Sequence, residues 1–244
     1  MNNTKQSISM YDLENRVKQY DIDMDIMHPN RPKMVDVVLN FLPYDKQAKI
    51  KAIDLGTGTG FFTKKYLEKF PNSSIIAIDG AEAMIELAKT RLGKLSNSVE
   101  FIVGDFGKLQ NLIQEQSVFD VIFASFALHH LLIPEKENCL KYIFKLLKPN
   151  GWFFNADCVI GETQELENVY QKLRIEGILK RTEYKDPRFK DFATTRKWLD
   201  DLETKEEDYL IKVSEELSIL QNAGFRNIDI LWKEYREATW CAQK

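Results

Sequence analysis

The sequence predicts an α/β protein with a mostly parallel sheet of seven strands and a helical cap. Between residues 49 and 156, short apolar segments of strand character alternate with helical segments, which is the rhythm of β-α-β units. A glycine-rich stretch separates the first strand from the next helix, and backbone N–H groups at such a junction can bind a ligand. Two closing strands follow a last helical segment. These three observations define the predicted fold.

Two helices are expected ahead of the sheet. Apolar and aromatic residues are spaced for one face of a helix over 10–25, and Ser9 can cap its start. A proline-containing break at 28–32 follows. Apolar residues then recur with helical spacing over 34–42 and predict a second helix.

The elements of the sheet follow in order along the chain. The predicted strands are short and apolar, and they lie at 49–55, 74–78, 99–103, 119–124, 152–156, 227–231 and 238–242. The predicted helices among them lie at 61–70, 83–92, 140–147 and 207–223, the last ended by Gly224. The final two strands form a hairpin through 234–237. Residues 160–205 interrupt the rhythm and predict an inserted, mostly helical cap.

Composition excludes several classes of protein. Hydrophobic residues make up 44% and charged residues 29% of the chain, as in globular domains and unlike disordered or fibrous chains. No apolar run reaches the roughly 18 residues of a membrane-spanning helix. The first thirty residues contain five acidic residues and no apolar stretch, so neither a secretory signal nor a transit peptide is expected.

Charge and cysteine content limit the partners. The chain carries 34 basic and 37 acidic residues, a net charge of -3, whereas proteins that bind nucleic acid through its phosphates usually have a basic excess. Its three cysteines are far apart, which argues against disulfides and against a cysteine-based zinc site. We therefore expect a cytoplasmic protein with no nucleic acid or membrane partner.

The strongest motif is the glycine-rich stretch at 53–60, which reads Ile-Asp-Leu-Gly-Thr-Gly-Thr-Gly. Asp79 ends the next predicted strand, at the distance where an acidic residue binds ribose hydroxyls. The dinucleotide pattern G-x-G-x-x-G does not fit, because Phe61 stands in place of its third glycine. A plain tight turn is the alternative, but the position in a β-α-β unit favours a nucleoside-bearing cofactor other than NAD.

With these motifs the sequence resembles the class I S-adenosylmethionine-dependent methyltransferases over residues 35–160 and 207–242. The resemblance implies a Rossmann-like sheet and S-adenosyl-L-methionine as cofactor, with S-adenosyl-L-homocysteine as product. It rests on the glycine-rich loop, the acid after the second strand, Gly-Asp-Phe after the third, the fourth strand with its exit loop, and the Leu-Lys-Pro-Asn-Gly-Trp turn. The implied cofactor-binding residues are Tyr20, Asp54, Gly56, Thr57, Gly58, Gly60, Asp79, Gly80, Met84, Gly104, Asp105, Phe106, Ser125 and Phe126.

The domain organisation follows from the same reading. We expect one methyltransferase domain over 1–244, because the chain contains no internal repeat, low-complexity tract or flexible linker. Its predicted parts are an N-terminal helical segment at 1–45, a cofactor-binding core at 46–160, the cap at 160–205, and a closing helix with hairpin at 206–244.

His129 and His130 are the candidate catalytic residues, since they follow the fourth strand at the mouth of the predicted site. A neutral imidazole can accept the proton released when an O–H or N–H group is methylated. Adjacent side chains are expected to diverge, so at most one would face the methyl group, with His129 reaching slightly further. A structural pair at the start of a helix is the alternative. No carboxylate has a suitable spacing from the pair, so no metal site is predicted.

The substrate is expected to be a small molecule. Arginines interleaved with aromatic residues make the cap a candidate acceptor site, and arginine is suited to an anionic group. The resulting hypothesis is methyl transfer to an oxygen or nitrogen nucleophile of a small molecule by a monomer or homodimer. The alternatives are a tRNA- or RNA-modifying methyltransferase, an enzyme like the carboxy-S-adenosylmethionine synthases, and a protein that binds the cofactor without catalysis.

Overall fold

The computed structural model describes residues 6–244 and forms a seven-stranded sheet from them. The strands are β1 (Lys51–Leu55), β2 (Ser74–Asp79), β3 (Val99–Val103), β4 (Phe119–Ser125), β5 (Leu147–Cys158), β6 (Arg226–Glu234) and β7 (Glu237–Gln243). Their order is β3-β2-β1-β4-β5-β7-β6. The first five strands of that order are parallel, and β7 is antiparallel to both β5 and β6. The predicted fold class and the closing hairpin are therefore confirmed.

Helices cover both faces of this sheet. They are α1 (Gln6–Met10), α2 (Glu14–Met27), α3 (Arg31–Phe41), α4 (Phe61–Lys69), α5 (Glu82–Leu92), α6 (Ile133–Leu146), α7 (Gln164–Arg181), α8 (Phe192–Lys205) and α9 (Val213–Asn222). Side chains of α6 and α9 pack with Ile53 and Leu55 on one face. Side chains of α3, α4 and α5 pack with Ala52 on the other face. Because helices bury both faces of these strands, their sequences are near-continuous apolar runs.

Strand order fixes the place of the site. From β1 the chain proceeds to β2 on one side, whereas β4 lies on the other side of β1. The loops that follow β1 and β4 therefore lead away from each other and leave a crevice at the carboxyl ends of the strands. Leu55, Asp79 and Ser125 end their strands at this edge.

The predicted helix over 10–25 is wrong in its start. The structure has two helices there, α1 and α2, with a turn between them, and Ser9 lies inside α1 rather than capping a later helix. Tertiary contacts hold the turn: the hydroxyl of Tyr11 donates to Glu206 at 3.0 Å, and the carboxylate of Asp12 accepts from the N–H of Ala83 at 3.1 Å. Residues 1–5 of the predicted N-terminal segment lie outside the described residues.

The predicted helix over 207–223 is wrong in its first turns, because α9 begins at Val213. The chain before it is tied to other elements. The N–H of Tyr209 donates to the carbonyl of His129 at 2.7 Å, and the carbonyl of Ile211 accepts from the N–H of Ile160 at 3.1 Å. Gly224 follows the helix with φ of +102°, as expected of a glycine just after a helix end.

The segment predicted as a cap folds into α7 and α8, which lie against the end of α2. Met27 of α2 shares a buried apolar cluster with Ile175, Ile178 and Leu199 of these two helices. This packing holds the cap above the carboxyl edge of the sheet. Among residues 6–244, no helix combines the length and apolar character needed to cross a membrane.

Candidate functional site

A pocket opens at the carboxyl ends of β1, β2 and β4, and we call it the central pocket. The residues that line it come from both N-terminal helices and four loops after strands: Ile8, Tyr11, Tyr20, Gly56, Gly58, Asp79, Gly80, Met84, Asp105, Phe106, Phe126, Ala127, His130 and Leu131. Its wall is mostly apolar, with the carboxylates of Asp79 and Asp105 among the few charged groups. Such a cavity can hold a ligand that has one flat apolar part and a few hydroxyl or amino groups.

The loop after β1 forms the floor of the central pocket. Gly56 has φ of +68°, and a Cβ added there would lie 2.4 Å from the Cβ of Ala127. The close approach of the β1 and β4 loops thus requires glycine at this position. The N–H of Gly58 donates to the carboxylate of Asp79 at 2.8 Å, which fixes the loop against the end of β2.

Asp79 is the charged group at the centre of the floor. Its second carboxylate oxygen accepts from the N–H of Ala81 at 2.9 Å. Burial raises the pKa of Asp79, and the N–H groups of Ala81 and Gly58 oppose that rise. Each carboxylate oxygen can still accept another hydrogen bond, since a carboxylate has about four acceptor positions. Asp79 can therefore receive two hydroxyl groups from a ligand.

The other end of the pocket is apolar with one carboxylate. Asp105 accepts a hydrogen bond from the N–H of Gly107 at 2.9 Å and so also caps the short 3-10 turn after β3. Phe106, Met84 and Ile8 lie around it in the pocket wall. A flat heteroaromatic group that donates one hydrogen bond matches this end of the pocket.

Most of the site residues predicted from sequence line the central pocket. Those in its wall are Tyr20, Gly56, Gly58, Asp79, Gly80, Met84, Asp105, Phe106, Phe126 and His130. The remaining predicted residues lie beneath or beside it: Asp54, Thr57, Gly60, Gly104, Ser125 and His129. Sequence reasoning omitted Ile8, which lies in no motif, and did not select Ala127 and Leu131 within the exit loop of the fourth strand. It also assigned no role to Tyr11, whose aromatic ring near the start of the chain was the available signal.

Most of the residues outside the wall hold the loops in place. Asp54 accepts hydrogen bonds from Thr57 at 2.9 Å and Thr63 at 2.5 Å, so its carboxylate lies below the loop and not in the pocket. A Cβ on Gly60 would collide with side chains of α5, so glycine lets the loop and this helix approach each other. The N–H of Gly104 donates to the carbonyl of Asp79 at 2.8 Å and so joins the ends of β2 and β3. The hydroxyl of Ser125 is buried without a hydrogen-bond partner among residues 6–244.

A second cavity lies beside the central pocket under the cap, and we call it the cap cavity. Tyr11, Tyr20 and Phe126 line both spaces. The other residues around the cap cavity come from α2 and its C-terminal end, the turns after β4 and β6, the end of β5, α7, α8 and the segment between α8 and α9: Arg16, Met24, Met27, His28, His129, Cys158, Arg174, Leu202, Glu203, Glu206, Asp208, Leu210 and Arg236. The two cavities are therefore adjacent, and the same three aromatic residues belong to the walls of both.

Ion pairs make the cap cavity strongly polar. The guanidinium of Arg16 donates to Glu206 at 2.9 and 2.6 Å. Glu203 accepts from Arg174 at 2.5 Å and from Arg236 at 3.0 Å. Burial alone would raise the pKa of Glu203, but the two guanidinium groups outweigh burial and lower it to about 2. The carboxylate of Glu203 therefore remains charged at neutral pH and holds Arg174 and Arg236 in position.

The predicted cap arginines differ in their placement. Arg174 lines the cap cavity, whereas Arg181 donates to the carbonyl of Ile26 at 2.7 Å at the side of a neighbouring cavity. Arg188 pairs with Asp186 and Asp23. Arg196 lies on the surface. Of these four arginines, only Arg174 therefore lines the cap cavity.

The two adjacent histidines do not diverge as the sequence suggested. Their ring centroids lie 4.1 Å apart, because a 3-10 turn over Leu128–His130 directs both rings toward Asp208. His129 Nδ1 lies 2.5 Å from Asp157, and its Nε2 lies 3.6 Å from Asp208. His130 Nδ1 lies 3.1 Å from Asp208. The carboxylates missing from the local sequence are thus supplied by distant segments.

The environment sets the protonation of His129. Burial lowers its pKa, but the carboxylates of Asp157 and Asp208 outweigh burial and raise the pKa to about 9. In the absence of any other ligand the ring is then protonated at neutral pH, and a protonated imidazole cannot accept a proton. His130 differs from His129 in position, because it lines the central pocket.

Comparison with known proteins identifies the fold and the family. A family model described as a methyltransferase domain matches residues 46–224. The carboxy-S-adenosyl-L-methionine synthase of Nautilia profundicola is 30% identical over 210 residues, which are 86% of this chain and 82% of that protein. The malonyl-(acyl-carrier protein) O-methyltransferase of Priestia megaterium is 29% identical over 157 residues, 64% of this chain and 53% of that protein.

A solved structure shows the same fold. Haemonchus contortus phosphoethanolamine N-methyltransferase 2, in complex with S-adenosyl-L-methionine, superposes with a TM-score of 0.68 and 14% sequence identity. The match covers 99% of this chain and 60% of that chain. The chain therefore spans about three fifths of the length of this structure and about half of the Priestia relative.

The first prediction concerns Asp54, whose burial raises its pKa to about 6 against the opposing hydrogen bonds of Thr63 and Thr57. A carboxyl group with a folded pKa above its unfolded value favours folding while protonated, so this contribution disappears as pH rises from about 4 through 6. We expect the parent to lose up to about 3 kcal/mol of unfolding free energy relative to Asp54→Asn between pH 4 and pH 7.

Urea unfolding of parent and variant across this pH range measures the difference. Asp36→Asn, a substitution of an exposed aspartate on α3, is the control for general charge effects. A difference between parent and Asp54→Asn that stays constant from pH 4 to pH 7 would contradict the prediction.

Proposed function

The chain belongs to the class I S-adenosylmethionine-dependent methyltransferases, and from that membership we propose that it methylates an oxygen or nitrogen of a small molecule in the cap cavity. Bound S-adenosylmethionine supplies an electrophilic methyl group on a sulfonium. The observation that supports the proposal best is that the central pocket and the cap cavity are adjacent, with Tyr11, Tyr20 and Phe126 in the walls of both.

The central pocket fits the cofactor in each of its parts. Asp79 has acceptor positions for both ribose hydroxyls, and a Cβ at Gly58 would meet no atom within 4 Å, so the loop leaves room for the methionine part. Asp105 can accept from the amino group of adenine, with Phe106 and Met84 along the ring. These assignments leave the methyl end of the cofactor at the junction of the two cavities.

Phe126 has an unusual backbone at this junction. Its φ is +50°, in the left-handed region that a bulky side chain rarely adopts, and its N–H donates to the carbonyl of Ala156 at 2.9 Å. Such a conformation persists only where the surroundings enforce it, and it is often found in functional sites. It directs the ring into the wall between the two spaces, where we propose that Phe126 separates cofactor from acceptor.

Residues of the cap cavity would align and dehydrate the acceptor. Arg16 and Tyr11 are both fixed by Glu206, and Arg174 is fixed by Glu203, so none of these side chains needs to reorganise when an acceptor binds. Preorganised polar groups in a space that excludes water contribute through orientation and electrostatics. The balance of arginines and glutamates is suited to an acceptor with both an anionic and a donor group.

A second candidate reaction is supported by the similarity to the Nautilia carboxy-S-adenosyl-L-methionine synthase over 86% of this chain. In that case the cap cavity would hold a carboxyl-donating molecule, and the cofactor would itself be the acceptor. Mass spectrometry of the nucleoside product separates the two reactions: methyl transfer yields S-adenosylhomocysteine, whereas the second reaction yields a carboxylated nucleoside. The net charge of -3 leaves RNA as the weaker alternative.

The cofactor assignment predicts the effect of Asp79→Ala. Loss of charge-assisted hydrogen bonds to the ribose should weaken S-adenosylhomocysteine binding by about 1.5–3 kcal/mol, which is roughly 10- to 150-fold in Kd. Calorimetric titration measures this change. Asp120→Asn is the matched control, because Asp120 also accepts a backbone N–H beside a strand, from Lys51 at 2.9 Å, but near the amino end of β4. Unchanged affinity in folded Asp79→Ala would exclude the ribose assignment.

The acceptor assignment predicts the effect of Arg174→Ala. Transfer of labelled methyl groups from S-adenosylmethionine to a metabolite extract should fall by roughly tenfold or more, since one charged contact with the acceptor is lost. The affinity for S-adenosylhomocysteine should remain that of the parent, because Arg174 does not line the central pocket. Arg196→Ala is the control, since Arg196 pairs with Asp200 on the exposed face of α8. Full transfer by Arg174→Ala would place the acceptor elsewhere.

A further inference from the structure

We propose that His129, His130 and Asp208 bind a divalent transition-metal ion at the junction of the central pocket and the cap cavity. One ligand atom from each residue converges on the same small volume, and the three atoms lie within 4.8 Å of one another. His130 lines the central pocket, whereas His129 and Asp208 line the cap cavity. The inference does not depend on which molecule is methylated.

Two separations of the ligand atoms are close to coordination geometry. Metal–nitrogen and metal–oxygen bonds of about 2.0–2.2 Å place neighbouring ligand atoms roughly 3.0–3.5 Å apart in octahedral or tetrahedral sites. The structure has 3.1 Å between Asp208 Oδ1 and His130 Nδ1, and 3.6 Å between Asp208 Oδ1 and His129 Nε2. All three atoms lie within 4.8 Å of one another, and side-chain rotation would bring them to bonding distance of one ion.

Asp157 orients His129 as carboxylates orient metal-binding histidines. It lies 2.5 Å from His129 Nδ1, so with the ring proton on Nδ1 the lone pair of Nε2 is directed toward Asp208. Asp157 is itself buried and accepts from the N–H of Cys158 at 2.8 Å. A carboxylate behind the ligating imidazole is the usual support of such sites, because it fixes tautomer and ring orientation.

Two of the proposed ligand atoms have each other as their close polar partner. His130 Nδ1 and Asp208 Oδ1 are buried and lie 3.1 Å apart as an ion pair. Among residues 6–244, neither atom has a hydrogen bond to another group. A cation could therefore bind between them without taking either atom from a different hydrogen bond.

The ligand set selects the kind of metal. Imidazole nitrogens favour Zn²⁺, Co²⁺, Fe²⁺ and similar ions, whereas Mg²⁺ and Ca²⁺ take oxygen ligands. Two imidazoles and one carboxylate leave coordination positions of the ion open. Here the open positions would face the boundary between the central pocket and the cap cavity. An acceptor oxygen or nitrogen could bind there, which would hold it beside the methyl group and lower its pKa.

The test is metal binding by the chelator-treated full chain without cofactor or acceptor, so that its result is independent of the proposed methyl transfer. We expect one equivalent of Co²⁺ to bind, with visible d–d absorption bands that Zn²⁺ abolishes and Mg²⁺ does not. Zinc-edge X-ray absorption of the parent should show two imidazole ligands. His28→Ala removes the one histidine outside the site and should leave binding unchanged.

Variants identify the ligands. Asp208→Ala and His130→Ala should abolish the cobalt bands, and Asp157→Asn should weaken binding by about 10- to 100-fold. Circular dichroism checks the fold of each, and Asp208→Asn replaces Asp208→Ala if the latter does not fold. The proposal is overturned if the parent binds no stoichiometric Co²⁺ or Zn²⁺, if the absorption shows no histidine ligands, or if folded Asp208 and His130 variants keep the bands.

Discussion

The arrangement of the site depends on the two backbone hydrogen bonds that the carboxylate of Asp79 accepts. This carboxylate accepts the N–H of Gly58 from the loop after β1 and the N–H of Ala81 from the loop after β2, so it joins two loops that the strand order brings to one edge. Without that link, the close contact of Gly56 with Ala127 would lose its support on one side. The same carboxylate faces the pocket, so the group that organises the loops is also the group proposed to bind the ribose.

Helix α2 connects this floor to the cap. Its Asp21 accepts from Thr59 of the β1 loop at 3.0 Å, and its Arg16 pairs with Glu206 after α8. A second acid of α2, Asp23, pairs with Arg188 between α7 and α8 at 2.9 Å. The loop after β1 and the cap are therefore both held by polar contacts of the same helix, through Asp21 on one side and through Arg16 and Asp23 on the other. Any movement of α2 would change both cavities together.

The fold and the central pocket could be predicted from sequence because their signals are local. The strand segments and the glycine-rich loop are recognised from a few neighbouring residues each, and Asp79 is recognised from its place after the next strand. The cap cavity could not be predicted, since Asp208 reaches the two histidines only through the extended segment before α9, which sequence periodicity assigned to a helix. Likewise Tyr11 enters the pocket wall because Glu206, nearly two hundred positions away, holds its hydroxyl. Contacts of this range leave no pattern in a single sequence.

The central proposal is that cofactor and acceptor occupy two adjacent spaces whose walls share Tyr11 and Phe126. A crystal structure of the chain with S-adenosylhomocysteine tests this proposal most directly. We predict ribose hydroxyls within hydrogen-bond distance of Asp79 and the sulfur directed toward the cap cavity. A nucleoside bound away from Asp79, or a sulfur that faces away from the cap cavity, would contradict it.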